Sequence, residues 1–195
     1  MGKIYCIIGK SATGKDTIYQ CLMDRELGFN KIIPYTTRPI REGEEEGREY
    51  HFCTEADVER LEKEGRIIEL RQYNTVYGIW KYFTVDDGNI HLEEEDYLLI
   101  VTLEGYVKLR KYFGAEKVVP LYIEIEDGKR LLRAIAREQQ QDTPKYEEMC
   151  RRFLADAQDF SEDKLQEAGI KRRFVNEHLE NTIGEIIQYI QQMNN

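Results

Sequence analysis

The chain reads as an α/β protein with a central parallel five-stranded sheet and helices on both faces, and three observations carry that expectation. Short apolar runs without helical period alternate with segments whose apolar residues recur every three or four positions. A glycine-framed loop separates the first apolar run from the first helical pattern. The apolar runs end as the carboxyl ends of buried strands do, the edge at which open parallel sheets hold ligands.

Taken in order, Ile4, Tyr5, Cys6, Ile7 and Ile8 form the first strand, and Ile18, Leu22 and Met23 mark the helix beyond the loop. Ile32-Ile33, Tyr97 to Val101, Val118 to Ile123 and Arg173 to Val175 supply four more strands. Helical spacing recurs in Leu103 to Phe113, Leu131 to Ala136, Phe153 to Ala157 and Ile183 to Ile190. Two stretches interrupt the alternation. Residues 34–82, rich in Tyr, Arg, Glu and Gly, read as an inserted substrate module with one short helix capped by Thr54 and Asp57. Residues 138–148 are polar, contain Pro144 and are flanked by arginines, as expected of a mobile lid. The expected organisation is one domain over 1–195: core 1–33, 83–137 and 149–195, module 34–82, lid 138–148.

With 195 residues, 41% of them hydrophobic, the chain is long enough for one real core. A formal net charge of -9 argues against general nucleic-acid or anionic-membrane binding and leaves small anionic ligands as the expected partners. Cys6, Cys21, Cys53 and Cys150 show neither paired spacing nor a zinc pattern, so four reduced thiols are expected. The N-terminus enters the first strand at once and no apolar run reaches membrane-spanning length, giving the expectation of a soluble, cytoplasmic protein. Composition says nothing of oligomeric state.

The run Gly9-Lys10-Ser11-Ala12-Thr13-Gly14-Lys15-Asp16-Thr17 has the form of a phosphate cradle. Backbone N–H groups and a helix N-terminus face the anion, and Lys15 is placed for the β- and γ-phosphates of ATP. The residue after the lysine is Asp16 where a serine or threonine hydroxyl usually reaches Mg2+. Its carboxylate either ligates the metal, directly or through water, or only complements the helix dipole. Further on, Thr36-Thr37-Arg38-Pro39-Ile40-Arg41-Glu42-Gly43-Glu44, then Gly47-Arg48-Glu49-Tyr50-His51-Phe52, then Glu69 and Tyr77-Gly78, bring arginine forks and tyrosine hydroxyls together with little apolar filling. From residue chemistry these form either a phosphate site or a solvated charged segment.

The phosphate loop, the Thr-Thr-Arg-Pro-x-Arg-x-Gly-Glu-x-x-Gly-x-x-Tyr-x-Phe run, Glu69, Tyr77-Gly78 and the late arginine lid together resemble guanylate kinase, colinearly over nearly the whole chain. The resemblance implies a P-loop kinase fold, ATP with Mg2+ as phosphoryl donor and GMP or dGMP as acceptor. It implies that Arg38, Arg41, Tyr50 and Tyr77 hold the GMP phosphate and that Glu69 recognises the guanine edge. It assigns Arg137 and Arg152 to the closing lid, where with Lys15 and Arg38 they would neutralise the transferred group. Without the resemblance, Glu69 also reads as the outward residue of a half-buried strand, and Arg130, Arg133 and Arg151 read equally as solvated charges.

The chain departs from that family's pattern in four places. Ile100 and Thr102 stand where third-strand aspartates belong, Pro34 or Tyr35 replaces a base-contacting serine, and Ile79 replaces a small hydroxyl residue. Gly-Lys-Asp in the loop and the missing aspartates are shared with ribose 1,5-bisphosphate phosphokinases, which gives the alternative acceptor. Arg41, Gly43-Glu44, Tyr50 and Glu69 speak for the nucleotide. A non-catalytic interaction module is the third reading, opposed by the intact Lys15 and loop glycines.

Overall fold

A computed structural model describes residues 2–41, 43–75 and 78–194. Strand β1 (Ile4–Ile8) lies at the centre of a five-stranded sheet, between β7 (Asp96–Ile100) and β8 (Val118–Glu124). β2 (Phe29–Lys31) and β9 (Arg173–Val175) form the edges, and every pairing is parallel, in the order β2-β7-β1-β8-β9. The five-stranded parallel sheet expected from the sequence is therefore present. One strand is displaced: β2 ends at Lys31, and Ile32-Ile33 lie beyond it. Ile32 packs against the core from outside the sheet as the chain leaves toward Pro34, which has no N–H to continue a ladder.

All five residues of β1 are fully buried, and their alternation divides the core in two. Ile4, Cys6 and Ile8 join Leu103, Tyr106 and Leu109 of α3 (Leu103–Phe113) and Leu165 of α6 (Glu162–Glu167) on one face. Tyr5 and Ile7 join Ile18 and Leu22 of α1 (Lys15–Asp24) and Ile183, Ile186 and Ile190 of α7 (Leu179–Asn194) on the other. Burying each such aliphatic side chain contributes about 1.5–3 kcal/mol. A strand covered on both faces by helices is why the sequence shows a continuous apolar run there rather than alternation.

The inserted segment folds around its own sheet, in the order β4-β3-β6-β5. Its strands are β3 (Tyr35–Thr36), β4 (His51–Phe52), β5 (Ile67–Thr75) and β6 (Gly78–Val85). Helix α2 (Glu55–Lys63) places Val58 and Leu61 on Phe83 and Val85, so the module has a small core of its own. The sheet runs to Val85, three residues past the boundary expected at 82. At the other interruption, α4 (Asp127–Gln139) and α5 (Tyr146–Asp159) pack together and extend into the expected lid from both sides, leaving residues 140–145 as the connection. Among the described residues no helix is long and apolar enough to cross a membrane.

Thr54 caps α2 in the manner its spacing predicts: its Oγ1 accepts from Asp57 N at 3.2 Å, and the Asp57 carboxylate accepts from Thr54 N at 3.0 Å. Thr54→Ala removes one half of that box and is expected to cost about 1 kcal/mol. Thermal unfolding would show a fall of about 2–4 °C for a chain of this size. An unchanged midpoint would mean that α2 is held by packing alone.

Candidate phosphate-transfer site

The loop between β1 and α1 is set by close contacts rather than by its own propensity. A Cβ on Gly9 would come within 2.2 Å of the Ile123 carbonyl oxygen, so the loop leaves β1 pressed against the end of β8. Gly14 has φ +93°, and a Cβ there would meet Asn176 Nδ2 at 2.4 Å. That side chain, almost fully buried just beyond β9, donates from Nδ2 to the Thr13 carbonyl at 2.8 Å. Thr13 is itself buried, its Oγ1 donating to the Lys10 carbonyl at 2.9 Å. Lys15 folds back over the loop, and its Nζ donates to the same carbonyl at 2.8 Å. Burial lowers the Lys15 pKa, opposed chiefly by the charges of Asp16 and Asp156. Asp16 and Thr17 lie exposed in the first turn of α1.

Of the cavities that open on this loop, two are lined by arginines. One, of about 1090 Å³, is lined by Gly9, Ser11, Lys15, Arg71, Thr102 and Asp156 among others. A smaller one, of about 230 Å³ between α4 and α5, is lined by Ser11, Arg130, Arg137, Glu148, Arg152 and Phe153. The structure thus brings Arg137 and Arg152 together beside the phosphate loop. Arg151 and Arg152 both donate to Glu148, at 2.7 Å from each Nε, and hold its carboxyl down at about 2.

Arg130 is neither a solvated charge nor a lid tip. It is 1% exposed, stacks 3.8 Å from the Phe153 ring centre, and donates from Nε to Asp127 at 2.9 Å and from Nη1 to Asp156 at 3.0 Å. Its Nη2 is buried without a hydrogen-bond partner. Asp156 Oδ2 also accepts from the backbone N–H of Ser11 at 2.8 Å, so a carboxylate from α5 occupies a donor of the phosphate loop. Asp156 had no signal in the sequence, and Arg130 only its place in an arginine row.

In the module, Arg38 is 3% exposed and engages Glu44 through both Nη atoms, at 3.0 and 2.8 Å. That pairing raises the Arg38 pKa. Glu44 also accepts from the backbone N of exposed Arg41 at 2.8 Å. Arg38 lies 5.4 Å from the centre of the Tyr50 ring, whose phenol burial pushes upward. Tyr77 lies outside the described residues. Glu69 is buried, accepting from Thr84 Oγ1 at 3.0 Å and from Arg71 Nε and Nη2 at 3.1 and 3.3 Å. Thr102, at a position where the resemblance would place an aspartate, caps α3 by accepting from Gly105 N at 3.1 Å.

Among the described residues no three His, Cys, Asp or Glu side chains gather as a cage for a metal. Mg2+ carried on nucleotide phosphates needs only one or two carboxylates and keeps several waters. An exposed Asp16 next to Lys15 meets that requirement.

A sequence model described as guanylate kinase matches residues 1–193. A guanylate kinase of Cupriavidus pinatubonensis is 25% identical over 189 residues, covering 95% of this chain and 81% of that protein. One from Oceanobacillus iheyensis is 29% identical over 116 residues, and there the match spans only 53% of the relative's length. The crystal structure of guanylate kinase from Anaplasma phagocytophilum superposes with a TM-score of 0.67 at 22% identity, over 98% of this chain and 85% of that one. At that identity the superposition establishes a shared α/β fold.

A phosphate approaching the Ser11 N–H would have to compete with Asp156, which also neutralises buried Arg130. Asp156→Asn is therefore expected to bind ADP about tenfold more tightly, as loss of a repelling charge at close range implies. The same variant should be less stable, because removing one partner of a buried ion pair costs about 3–5 kcal/mol. Calorimetric titration with thermal unfolding checks both, and weaker ADP binding would show that Asp156 assists the nucleotide.

Proposed function

Because the chain belongs to the guanylate kinase family, we propose that it transfers the terminal phosphoryl group of magnesium-ATP to the phosphate of GMP or dGMP. The observation that carries this reading is the phosphate loop, with Lys15 drawn over it and two lid arginines on the cavity beside it. ATP would lie along Gly9, Ser11, Ala12, Thr13, Gly14, Lys15, Asp16 and Thr17, its phosphates meeting the loop N–H groups and the Lys15 ammonium. Asp16 would hold Mg2+, directly or through water, and the ion would supply charge neutralisation on the nucleotide phosphates.

An oxygen of the acceptor phosphate attacks the γ-phosphorus, the bond to the β,γ-bridging oxygen breaks, and ADP leaves. The attacking oxygen is already anionic at neutral pH, so no residue need act as general base. The protein's part is alignment and charge neutralisation. Arg38, Arg41, Tyr50 and Tyr77 would hold the acceptor phosphate, and Glu69 would belong to the base side of the pocket. Arg38 would have to exchange its carboxylate partner Glu44 for phosphate oxygens, an even trade in geometry because both accept a fork. Arg137 and Arg152, on the paired helices α4 and α5, would meet the transferred group as the lid closes and excludes water.

A second reading, phosphorylation of ribose 1,5-bisphosphate, is favoured by Asp16 and by the absence of carboxylates at Ile100 and Thr102. An acceptor panel of GMP, dGMP, AMP, CMP, UMP and ribose 1,5-bisphosphate with ATP and Mg2+ separates the two. Turnover is expected with GMP or dGMP, and its absence with both would reject the first reading. Arg152→Ala is expected to lower kcat by about a thousandfold, the scale on which an arginine at the transferred group acts. Steady-state kinetics would show KM for ATP little changed, whereas a parallel loss of ATP binding would move Arg152 from the transition state to the ground state.

A further inference from the structure

We propose that Arg130 is a third arginine of the phosphate site, and that it exchanges the carboxylate of Asp156 for an oxygen of the donor nucleotide's terminal phosphate. The inference rests on the ATP-binding reading above and deepens it. Asp156 Oδ2 accepts from the backbone N–H of Ser11 at 2.8 Å and from Arg130 Nη1 at 3.0 Å, so a loop amide and a guanidinium converge on one oxygen position. Any anionic oxygen that takes that place on the Ser11 N–H is thereby within hydrogen-bond distance of Arg130. Asp156 has somewhere to go when it is displaced. Its side chain is partly exposed and lines the large cleft with Lys15 and Thr102.

The remaining donors of Arg130 point to the same role. A guanidinium has five N–H groups in a rigid plane. Nε serves Asp127 at 2.9 Å, and Nη1 serves Asp156 and, at 3.4 Å, the Ser11 carbonyl, which leaves both N–H groups of Nη2. Among the described residues Nη2 is the one buried side-chain nitrogen or oxygen without a hydrogen-bond partner. Buried donors are nearly always paired, and one left open beside a phosphate loop is poised for a ligand. Asp127 and the Phe153 ring, 3.8 Å away, fix the plane, so Nη1 and Nη2 form a fork of which Asp156 uses one arm. Two oxygens of one phosphate would use both arms.

The surroundings fit a polyanion. Buried Arg130 lines the cavity between α4 and α5 together with exposed Arg137, Lys145 and Arg152, all next to Ser11. The charges of Arg130 and Arg137 both act to lower the Lys15 pKa, as cations facing the same space do. A triphosphate laid along the loop would carry its last phosphate into this space. A diphosphate, one phosphate shorter, would leave the Ser11 N–H and Arg130 to Asp156. On this account the Asp156 carboxylate stands in for the terminal phosphate until ATP arrives, and Arg130 senses which nucleotide is bound.

The experiment is a calorimetric titration of ADP and of the non-hydrolysable β,γ-imido analogue of ATP, each with Mg2+, into four proteins. These are wild type, Arg130→Met, Asp156→Asn and the double variant Arg130→Met with Asp156→Asn, with thermal unfolding as the control of folding. The double variant removes both charges of the buried pair, so it keeps the test open if Arg130→Met alone leaves Asp156 unpaired and fails to fold. The effect of Arg130 is read twice, against wild type and against Asp156→Asn. In both comparisons loss of Arg130 is expected to weaken the imido triphosphate by about tenfold more than it weakens ADP, the scale of a lost hydrogen bond to a charged group. Equal changes for the two nucleotides in the folded double variant would overturn the inference and leave Arg130 as a structural partner of Asp156. Failure of the wild type to bind either nucleotide would overturn it by removing the ATP reading itself, an outcome distinct from the first.

Discussion

Everything in this protein that bears on phosphate depends on how tightly its first loop is clamped. The loop leaves the central strand of the sheet, and each of its sides is held by a different element. The end of β8 presses on Gly9 through the Ile123 carbonyl, Asn176 beyond β9 binds the Thr13 carbonyl, and Asp156 of α5 binds the Ser11 N–H. Backbone donors can serve an anion only if they stay aligned without it, and a loop between a buried strand and a helix, braced from three directions, does so. The two cores on either face of β1 supply the rigidity those contacts require.

A second pattern runs through the molecule: cations near the loop and in the module are matched by carboxylates of the same chain. Arg38 has Glu44, Arg71 has Glu69, Arg130 has Asp156, and Arg152 has Glu148. In a chain of net charge -9 such pairing lets positive groups gather at one edge without uncompensated repulsion. Two of the four guanidinium groups, Arg38 and Arg130, are almost fully buried, and for them a carboxylate partner avoids the large cost of an unpaired interior charge. An incoming phosphate would then exchange with a carboxylate instead of meeting a bare cation. Exchange of this kind favours ligands with more charge and more acceptors than a carboxylate has.

Much of this was legible beforehand, and the parts that were not share a cause. The strands at Ile4–Ile8, Tyr97 to Val101 and Val118 to Ile123 were read within a residue or so, because each is covered on both faces and leaves a continuous apolar run. The capped helix after Thr54 was equally clear, since a capping box is a contact between residues three apart. β2 was misplaced by a few residues because Phe29-Asn30-Lys31 is an edge strand with little burial, while the more apolar Ile32-Ile33 packs on the core from outside the sheet. The segment that holds Glu44 read as either a phosphate site or a solvated charged segment, and within it Glu44 binds Arg38 through both oxygens.

From the sequence alone came the class of fold, the phosphate loop with Lys15, the module with its arginines and the lid arginines. The fold class and the loop are written in local spacing, whereas the module and lid arginines were singled out by the resemblance to guanylate kinase. Only the tertiary structure decided that Asp156 lies 145 residues from the Ser11 amide it binds, that Arg130 is buried behind it, and that Glu69 is buried with Arg71 as its ion-pair partner. Contacts of that kind depend on how helices and sheets are docked, and docking is set by the summed packing of side chains distant in sequence, which no local pattern of charge or hydropathy records.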